Sequence, residues 1–169
     1  GEFSGQRLTL EEVSRFENGG VLANDRLYWD LLNQWNHVKD GLRSACVKYG
    51  ARIVSVGVDT WGVDFGLLGA RDELLGNPVH YRDRRTEGIL EKAYEVVPRE
   101  EIFAETGLQF MQFNTLFQLF AMRREGSPLL DAAQSLLMMP DLFHWLLSGE
   151  KSNEYTDATT TQFFNPQEN

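Results

Sequence analysis

Ser55-Val56-Gly57-Val58-Asp59-Thr60-Trp61-Gly62-Val63-Asp64-Phe65 is the stretch on which the reading of this chain turns. The apolar run from Ile53 to Val58 that leads into it has the composition of a buried strand, parallel by its unbroken hydrophobicity. The run stops abruptly at Asp59, Thr60, Trp61, Gly62 and Asp64. In open α/β sheets, ligands gather in the crevice outside the carboxyl ends of the strands. Carboxylates and a hydroxyl accept from a polyhydroxy ligand, an indole offers a flat apolar face, and glycine lets the backbone approach closely. The competing reading is a strand entering a hairpin, with a solvated Asp and a packed Trp.

Composition narrows the classes on either side of that stretch. A chain of 169 residues with 42% hydrophobic and 24% charged residues is an ordinary globular domain with enough length to bury a core. Its net charge of −9 supplies no clustered basic footprint, so nucleic acid is not an expected partner. Arg82, Arg84 and Arg85 are interleaved with Asp83 and read as paired charge. No apolar run approaches the roughly 18 residues of a membrane span, and no charged-then-apolar leader opens the chain. Cys46 is the single cysteine, which rules out an internal disulfide; helical neighbours Leu42 and Tyr49 make it a small buried hydrophobe. His37, His80 and His144 share no metal-ligand spacing, so no metal site is expected. A reducing, cytoplasmic setting fits this composition.

Periodicity then divides the chain. Residues 7–16 alternate in part like a strand, Asn18-Gly19-Gly20 signals a turn, and Leu27-Tyr28-Trp29 reads as a second strand paired to the first. Leu31, Trp35, Val38, Leu42, Ala45, Cys46 and Tyr49 form one helical stripe from Asp30 to Gly50. After Ile53–Val58 a hairpin is expected through Phe65–Leu68 and Glu73–Leu75, and a further strand at Val79-His80-Tyr81. Thr86 is read as the N-cap of a helix stopped at Pro98, and Asn114 as the cap of another ending at Gly126. Ser127-Pro128 opens a short helix, Leu136–Met139 is a strand candidate, and Asp141 caps a helix that Gly149 ends. The class is α/β, a mixed sheet with helices on both faces.

Asp59–Phe65 (DTWGVDF), Tyr81–Thr86 (YRDRRT), Thr106–Leu116 (TGLQFMQFNTL), Met138–Phe143 (MMPDLF) and Glu154–Gln162 (EYTDATTTQ) stand in an order and spacing that resemble the FGGY family of carbohydrate kinases, and within it the rhamnulokinase branch. The resemblance covers nearly the whole chain. It implies a ribonuclease-H-like fold of the actin-like ATPase superfamily, in which an N-terminal domain holds the sugar and a C-terminal domain supplies most of the nucleotide site. It implies transfer of the ATP γ-phosphoryl group to the 1-hydroxyl of L-rhamnulose or a related ketose, with Mg²⁺ present and an aspartate of the second domain as general base. Family members open on a strand and a glycine-rich phosphate loop for which this chain has no counterpart. Residues 1–169 are therefore expected to be a partial sugar-binding domain, without the family's first strand or its catalytic half, and inactive alone.

The resemblance puts sugar contacts at Gly62, Trp61, Asp64, Asp83, Phe113 and Asn114, and no catalytic residue in this chain. All but Phe113 have a plainer alternative: Gly62 a turn glycine with positive φ, Trp61 a core filler, Asp64 a turn cap, Asp83 half of a surface ion pair, Asn114 a helix cap. Asp59 ranks below Asp64, because an Asp at a strand end often bonds local backbone. Thr156 and Asp157 read as helix or hinge contacts. Two rivals remain open. A glycoside hydrolase would use Asp64 and Asp83 as its carboxylate pair, but the arginines beside Asp83 lower its pKa and spoil it as an acid. A non-catalytic sugar-binding or oligomerisation module, or a kinase of L-fuculose or xylulose, is the alternative within reach of the same motifs.

Overall fold

The computed structural model describes residues 1–168. Two compact units form, one from Gly1–Gly19 with Leu32–Gly57, the other from Gly20–Leu31 with the chain from Val58 onward. Among the described residues no helix is long and apolar enough to cross a membrane.

The first unit holds the antiparallel pair β1 (Glu2–Phe3) and β2 (Leu8–Thr9) and most of α1 (Leu31–Tyr49). The helix follows the expected stripe, with Trp35, Val38, Leu42 and Ala45 half-buried, and it ends at Gly50, whose φ of +53° only glycine adopts without strain. Glu11 accepts from Lys48 and from the Tyr49 hydroxyl, and Phe16 stacks on His37 with centroids 4.5 Å apart. Cys46, expected on that stripe as a buried hydrophobe, is instead exposed, while Leu42, Ala45 and Tyr49 beside it are half-buried.

The largest departure concerns Ile53–Val58. After a 3-10 turn at Gly50–Arg52 the run starts extended at Ile53 but forms no strand, and Val54 is 93% exposed. Hydrophobicity alone does not make a strand; a ladder needs a neighbouring backbone, and among the described residues none pairs with 53–58.

In the second unit β3 (Gly20–Ala23) pairs antiparallel with β4 (Arg26–Trp29), so the partner of 27–29 is not the segment at 7–16. The turn is Asn24-Asp25, with φ of 49° and 61°, the two left-handed residues of a tight hairpin; Asn18-Gly19-Gly20 lies outside it. Val79 bridges to Tyr28, and the His80 amide donates to the Leu27 carbonyl, so 79–80 follow β4 without becoming a full strand.

β5 (Phe65–Leu68) pairs antiparallel with β6 (Ser135–Met138), with Phe65 opposite Met138 and Leu68 opposite Ser135. The expected hairpin is reduced to a Leu68–Leu74 bridge closed by Gly69 and Leu75. Thr86 does not cap a helix. Asp83 caps the 3-10 turn Arg84–Thr86 by accepting from the Arg85 amide, and α2 (Ile89–Tyr94) starts only after Gly88. A helix that the periodicity did not announce, α3 (Arg99–Thr106), follows Pro98. Then come α4 (Thr115–Arg124), α5 (Pro128–Ala132) and α6 (Met139–Ser148), the last beginning before Asp141 and ending at Gly149 as expected. α7 (Tyr155–Ala158) runs into a 3-10 turn at Thr159–Thr161.

α4 serves two apolar clusters from opposite sides. Met122 packs with Phe65, Leu67 and Met138, while Phe117 and Ala121 pack with Ile89 and Ala93. This double packing fixes the start of α4 beside the start of β5, and there the site forms.

Candidate functional site

Asp64, the residue before β5, is fully buried. Its carboxylate accepts from four donors: Trp29 Nε1 (2.6 Å), Trp61 Nε1 (3.1 Å), the Tyr81 amide (3.1 Å) and Gln118 Nε2 (2.9 Å). All four are neutral. Burial pushes its carboxyl above the usual carboxylate range, and the hydrogen bonds oppose that rise without cancelling it. Around it stands an aromatic cluster: Trp29 stacks on His80 at 3.8 Å and lies 4.4 Å from Trp61, and Tyr81 meets Phe113 edge-on at 5.7 Å. His80 accepts from the Arg82 amide through Nδ1, and burial lowers its pKa; both favour the neutral ring.

The turn ahead of Asp64 is strained. Val63 has φ of +69°, and the Asp64 amide donates to the Gly62 carbonyl at 2.9 Å, which makes 62–64 a γ-turn of the rare positive-φ kind. For a β-branched residue this conformation costs on the order of 1–3 kcal/mol and persists only where the surroundings impose it. They do so here through the Val63 carbonyl, which accepts from Thr115 Oγ1 (2.7 Å) and Gln118 Nε2 (3.1 Å). Gly62 itself does not carry the positive φ; it is needed for close approach. A Cβ on it would stand 3.0 Å from Thr160 Oγ1 and 3.1 Å from Asp157 Oδ1.

Asp83 is buried as well, and accepts from Arg26 Nη1 (2.9 Å), the Leu27 amide (2.7 Å) and the Arg85 amide (2.9 Å). Burial alone would raise its pKa, but these donors pull it below the ordinary value. Arg85 then reaches Gln118 Oε1 at 2.5 Å, so Asp83 and Asp64 are linked through Arg85 and Gln118. Burial pulls the Arg85 guanidinium down to about 10. Asn114 is the first residue before α4, yet its side chain makes no capping bond; Nδ2 donates to the Gln109 carbonyl and to Gln162 Oε1, both at 2.9 Å.

A second acidic group lies behind Gly62. Asp141 Oδ1 accepts from the Glu154 amide, Glu154 caps α7 at the Asp157 amide, and Thr160 Oγ1 lies 3.4 Å from Asp157 Oδ1. Both Asp141 Oδ2 and Asp157 Oδ2 are buried without a partner among the described residues. Burial, with Asp141 close by, pushes Asp157 up to about 6 from an ordinary 3.8. The folded state therefore holds this proton more tightly than the unfolded chain. The stability it contributes is full below about pH 4 and is lost as pH rises through about 6. Asp157→Asn is expected to flatten that part of the stability profile and to raise stability at pH 7 by about 1–2 kcal/mol, after allowing for solvent screening. Urea unfolding at pH 4.5 and 7 measures it; equal wild-type and variant slopes between those pH values would contradict the assignment.

Of the residues singled out from sequence, Trp61, Gly62, Asp64, Phe113 and Asn114 meet in one hydrogen-bonded neighbourhood, and Asp83 joins it through Arg85. Trp61, Gly62 and Phe113 are only partly covered, whereas Asp64, Asp83 and Asn114 are buried with their polar atoms already engaged. Asp59 is exposed and outside the cluster. Sequence reasoning missed Trp29, Val63, Thr115, Gln118 and Gln162. Gln118 reads as a polar interruption of an apolar helix, and nothing local marks Val63 as left-handed. A cavity of about 30 Å³ between Phe65, Leu75, Pro78, Arg85 and Met122 has room for about one water, not a sugar. Among the described residues no group of three or more His, Cys, Asp or Glu stands together as a metal site.

Residues 20–169 match the N-terminal domain of the FGGY family of carbohydrate kinases. The rhamnulokinase of Halalkalibacterium halodurans is 44% identical over 160 residues, which are 95% of this chain and 34% of that protein. The rhamnulokinase of Bacteroides thetaiotaomicron is 42% identical over 165 residues, 98% of this chain and again 34% of the relative. The chain thus spans about a third of the length of these curated relatives. Among solved structures, a gluconate kinase from Lactobacillus acidophilus superposes with a TM-score of 0.78 at 17% identity, covering 88% of this chain and 30% of that one. A xylulose kinase from Rhodospirillum rubrum gives 0.77 at 18% identity, covering 96% of this chain and 35% of that one. At such identities the likeness is one of fold, that of the actin-like sugar kinases.

Proposed function

This chain belongs to the FGGY family of carbohydrate kinases, and from that premise we propose that it forms the sugar-binding part of an ATP-dependent kinase acting on the 1-hydroxyl of L-rhamnulose or a closely related ketose. One observation carries the proposal. Segments 61–64, 80–85, 113–118 and 157–162, distant in sequence, meet in a single cluster around Asp64. The partly covered members, Trp61, Gly62 and Phe113, are the ones that face the ketose: indole and phenyl against its carbons, the Gly62 backbone against its hydroxyls. Asp64, Asp83 and Asn114 complete the site from behind and hold those three in register. The relatives named above are rhamnulokinases, which supports the choice of sugar.

Phosphoryl transfer is largely positioning and charge neutralisation. This chain's part is to hold the acceptor hydroxyl still and dry. The nucleotide, its Mg²⁺ and the general base are assigned to the rest of the intact kinase, since this chain spans about a third of the rhamnulokinases it matches. The reaction draws on cytoplasmic ATP. The test is ADP release by the intact kinase on a sugar panel. The expected order is L-rhamnulose first, L-fuculose next, then xylulose and glycerol, since an apolar surface separates a methyl from a hydroxymethyl group only modestly. Residues 1–169 alone are expected to release none. A clear preference for xylulose or glycerol would move the chain to a sister activity.

A further inference from the structure

We infer that Gln118 is the positioning residue of this site: its carboxamide clamps the 62–64 turn and the Phe113 segment in the geometry that meets the sugar. The inference rests on the ketose-kinase reading above and adds a residue with no sequence motif of its own. Gln118 is 1% exposed and sits one turn into α4. The two hydrogens of its Nε2 serve three acceptors, the Phe113 carbonyl (2.8 Å), Asp64 Oδ1 (2.9 Å) and the Val63 carbonyl (3.1 Å), so that one hydrogen is shared. Its Oε1 accepts from Arg85 Nη2 at 2.5 Å, which fixes which end of the amide faces the turn. One side chain thus ties together the three segments that bear Trp61 and Gly62, Asp83, and Phe113.

The strain at Val63 gives that clamp its meaning. A β-branched residue at φ of +69° relaxes unless its carbonyl is held, and only Thr115 and Gln118 hold it among the described residues. Relaxation would swing the Gly62 peptide, while the residues that bind nucleotide, lying outside this chain, would feel nothing. Gln118 therefore acts on sugar affinity and leaves the nucleotide site alone.

Gln118→Leu and the isosteric Thr115→Val test this in the intact kinase, alone and each combined with Val63→Gly. Gln118→Leu is expected to raise the ketose KM about tenfold and Thr115→Val about threefold, with kcat and ATP KM within about twofold of wild type. Glycine adopts positive φ without a side-chain penalty. Adding Val63→Gly should therefore bring the ketose KM of either variant back to within about threefold of wild type, a recovery that general loss of packing would not give. Thr115→Val keeps the test informative if Gln118→Leu does not fold. An unchanged ketose KM in a folded variant overturns the inference, as does a parallel rise in ketose and ATP KM, or failure of Val63→Gly to restore binding. A wild-type enzyme that phosphorylates no ketose overturns the underlying reading, and this inference with it.

Discussion

Asp64→Ala is expected to lower stability by about 3–5 kcal/mol, the largest effect of any single substitution proposed for this chain. Two opposing contributions decide the sign. Removing the carboxylate recovers its desolvation cost, which is real, since burial outweighs four hydrogen bonds in setting its pKa. Against that, Trp29 Nε1, Trp61 Nε1 and the Tyr81 amide lose their acceptor together, while Gln118 Nε2 keeps the Val63 and Phe113 carbonyls. Each buried donor left unsatisfied costs about 1–3 kcal/mol, so the three orphaned donors together exceed the recovered desolvation. Asp64→Asn keeps the shape but turns an NH₂ group toward at least one donor, and is expected to cost less than the alanine. Guanidinium unfolding followed by tryptophan fluorescence reads both, because Trp29 and Trp61 report the cluster directly. A loss below about 1 kcal/mol for the alanine would mean that the carboxylate does not organise the site.

Gly62→Val should raise the ketose KM of the intact kinase by about a hundredfold and leave the ATP KM within about twofold. Even a methyl group at Gly62 would stand 3.0 Å from Thr160 Oγ1 and 3.1 Å from Asp157 Oδ1, so neighbours must shift to admit it. Valine adds two carbons beyond that methyl. Thr160 is bonded to the Asp157 carbonyl at 2.7 Å, which ties it to its own helical turn, and the 62–64 turn yields instead. Displacing that turn moves the backbone proposed to meet the sugar. Steady-state kinetics with each substrate varied in turn separates the two affinities. A loss confined to ATP would show that the turn serves the nucleotide, and an unchanged ketose KM would show that it serves neither.

Helix ends were legible because their causes are local, whereas the expected side-chain caps at Thr86, Asn114 and Asp141 and the turn at Asn18-Gly19-Gly20 did not form as read. Gly50, Gly126 and Gly149 sit at left-handed helix ends where the spacing of apolar residues runs out, and Pro128 opens α5. The strand read at Leu136–Met139 formed at Ser135–Met138, with Met139 taken into the next helix, and the membership of Trp61, Gly62, Asp64, Phe113 and Asn114 in one neighbourhood was legible only through five ordered motifs rather than any single residue. Val79–Tyr81 and Glu73–Leu75 were marked as strands but became single bridges, because a short run keeps its ladder only as far as its neighbour extends.

What the sequence determined by itself is what depends on near neighbours along the chain: where α1 and α4 lie, which glycines end helices, and which polar residues cluster after the apolar run at 53–58. Tertiary structure alone decided the rest. Whether 53–58 becomes a strand depends on a partner backbone, not on its own valines. Whether Asp64 and Asp83 face solvent or interior depends on Trp29, Arg26 and Gln118, which lie 35 to 57 residues from the carboxylates they bond and carry no mark of their role. Positive φ fell on Val63 rather than Gly62 because two side chains of α4 grip its carbonyl, and a local propensity cannot register a force applied from fifty residues away.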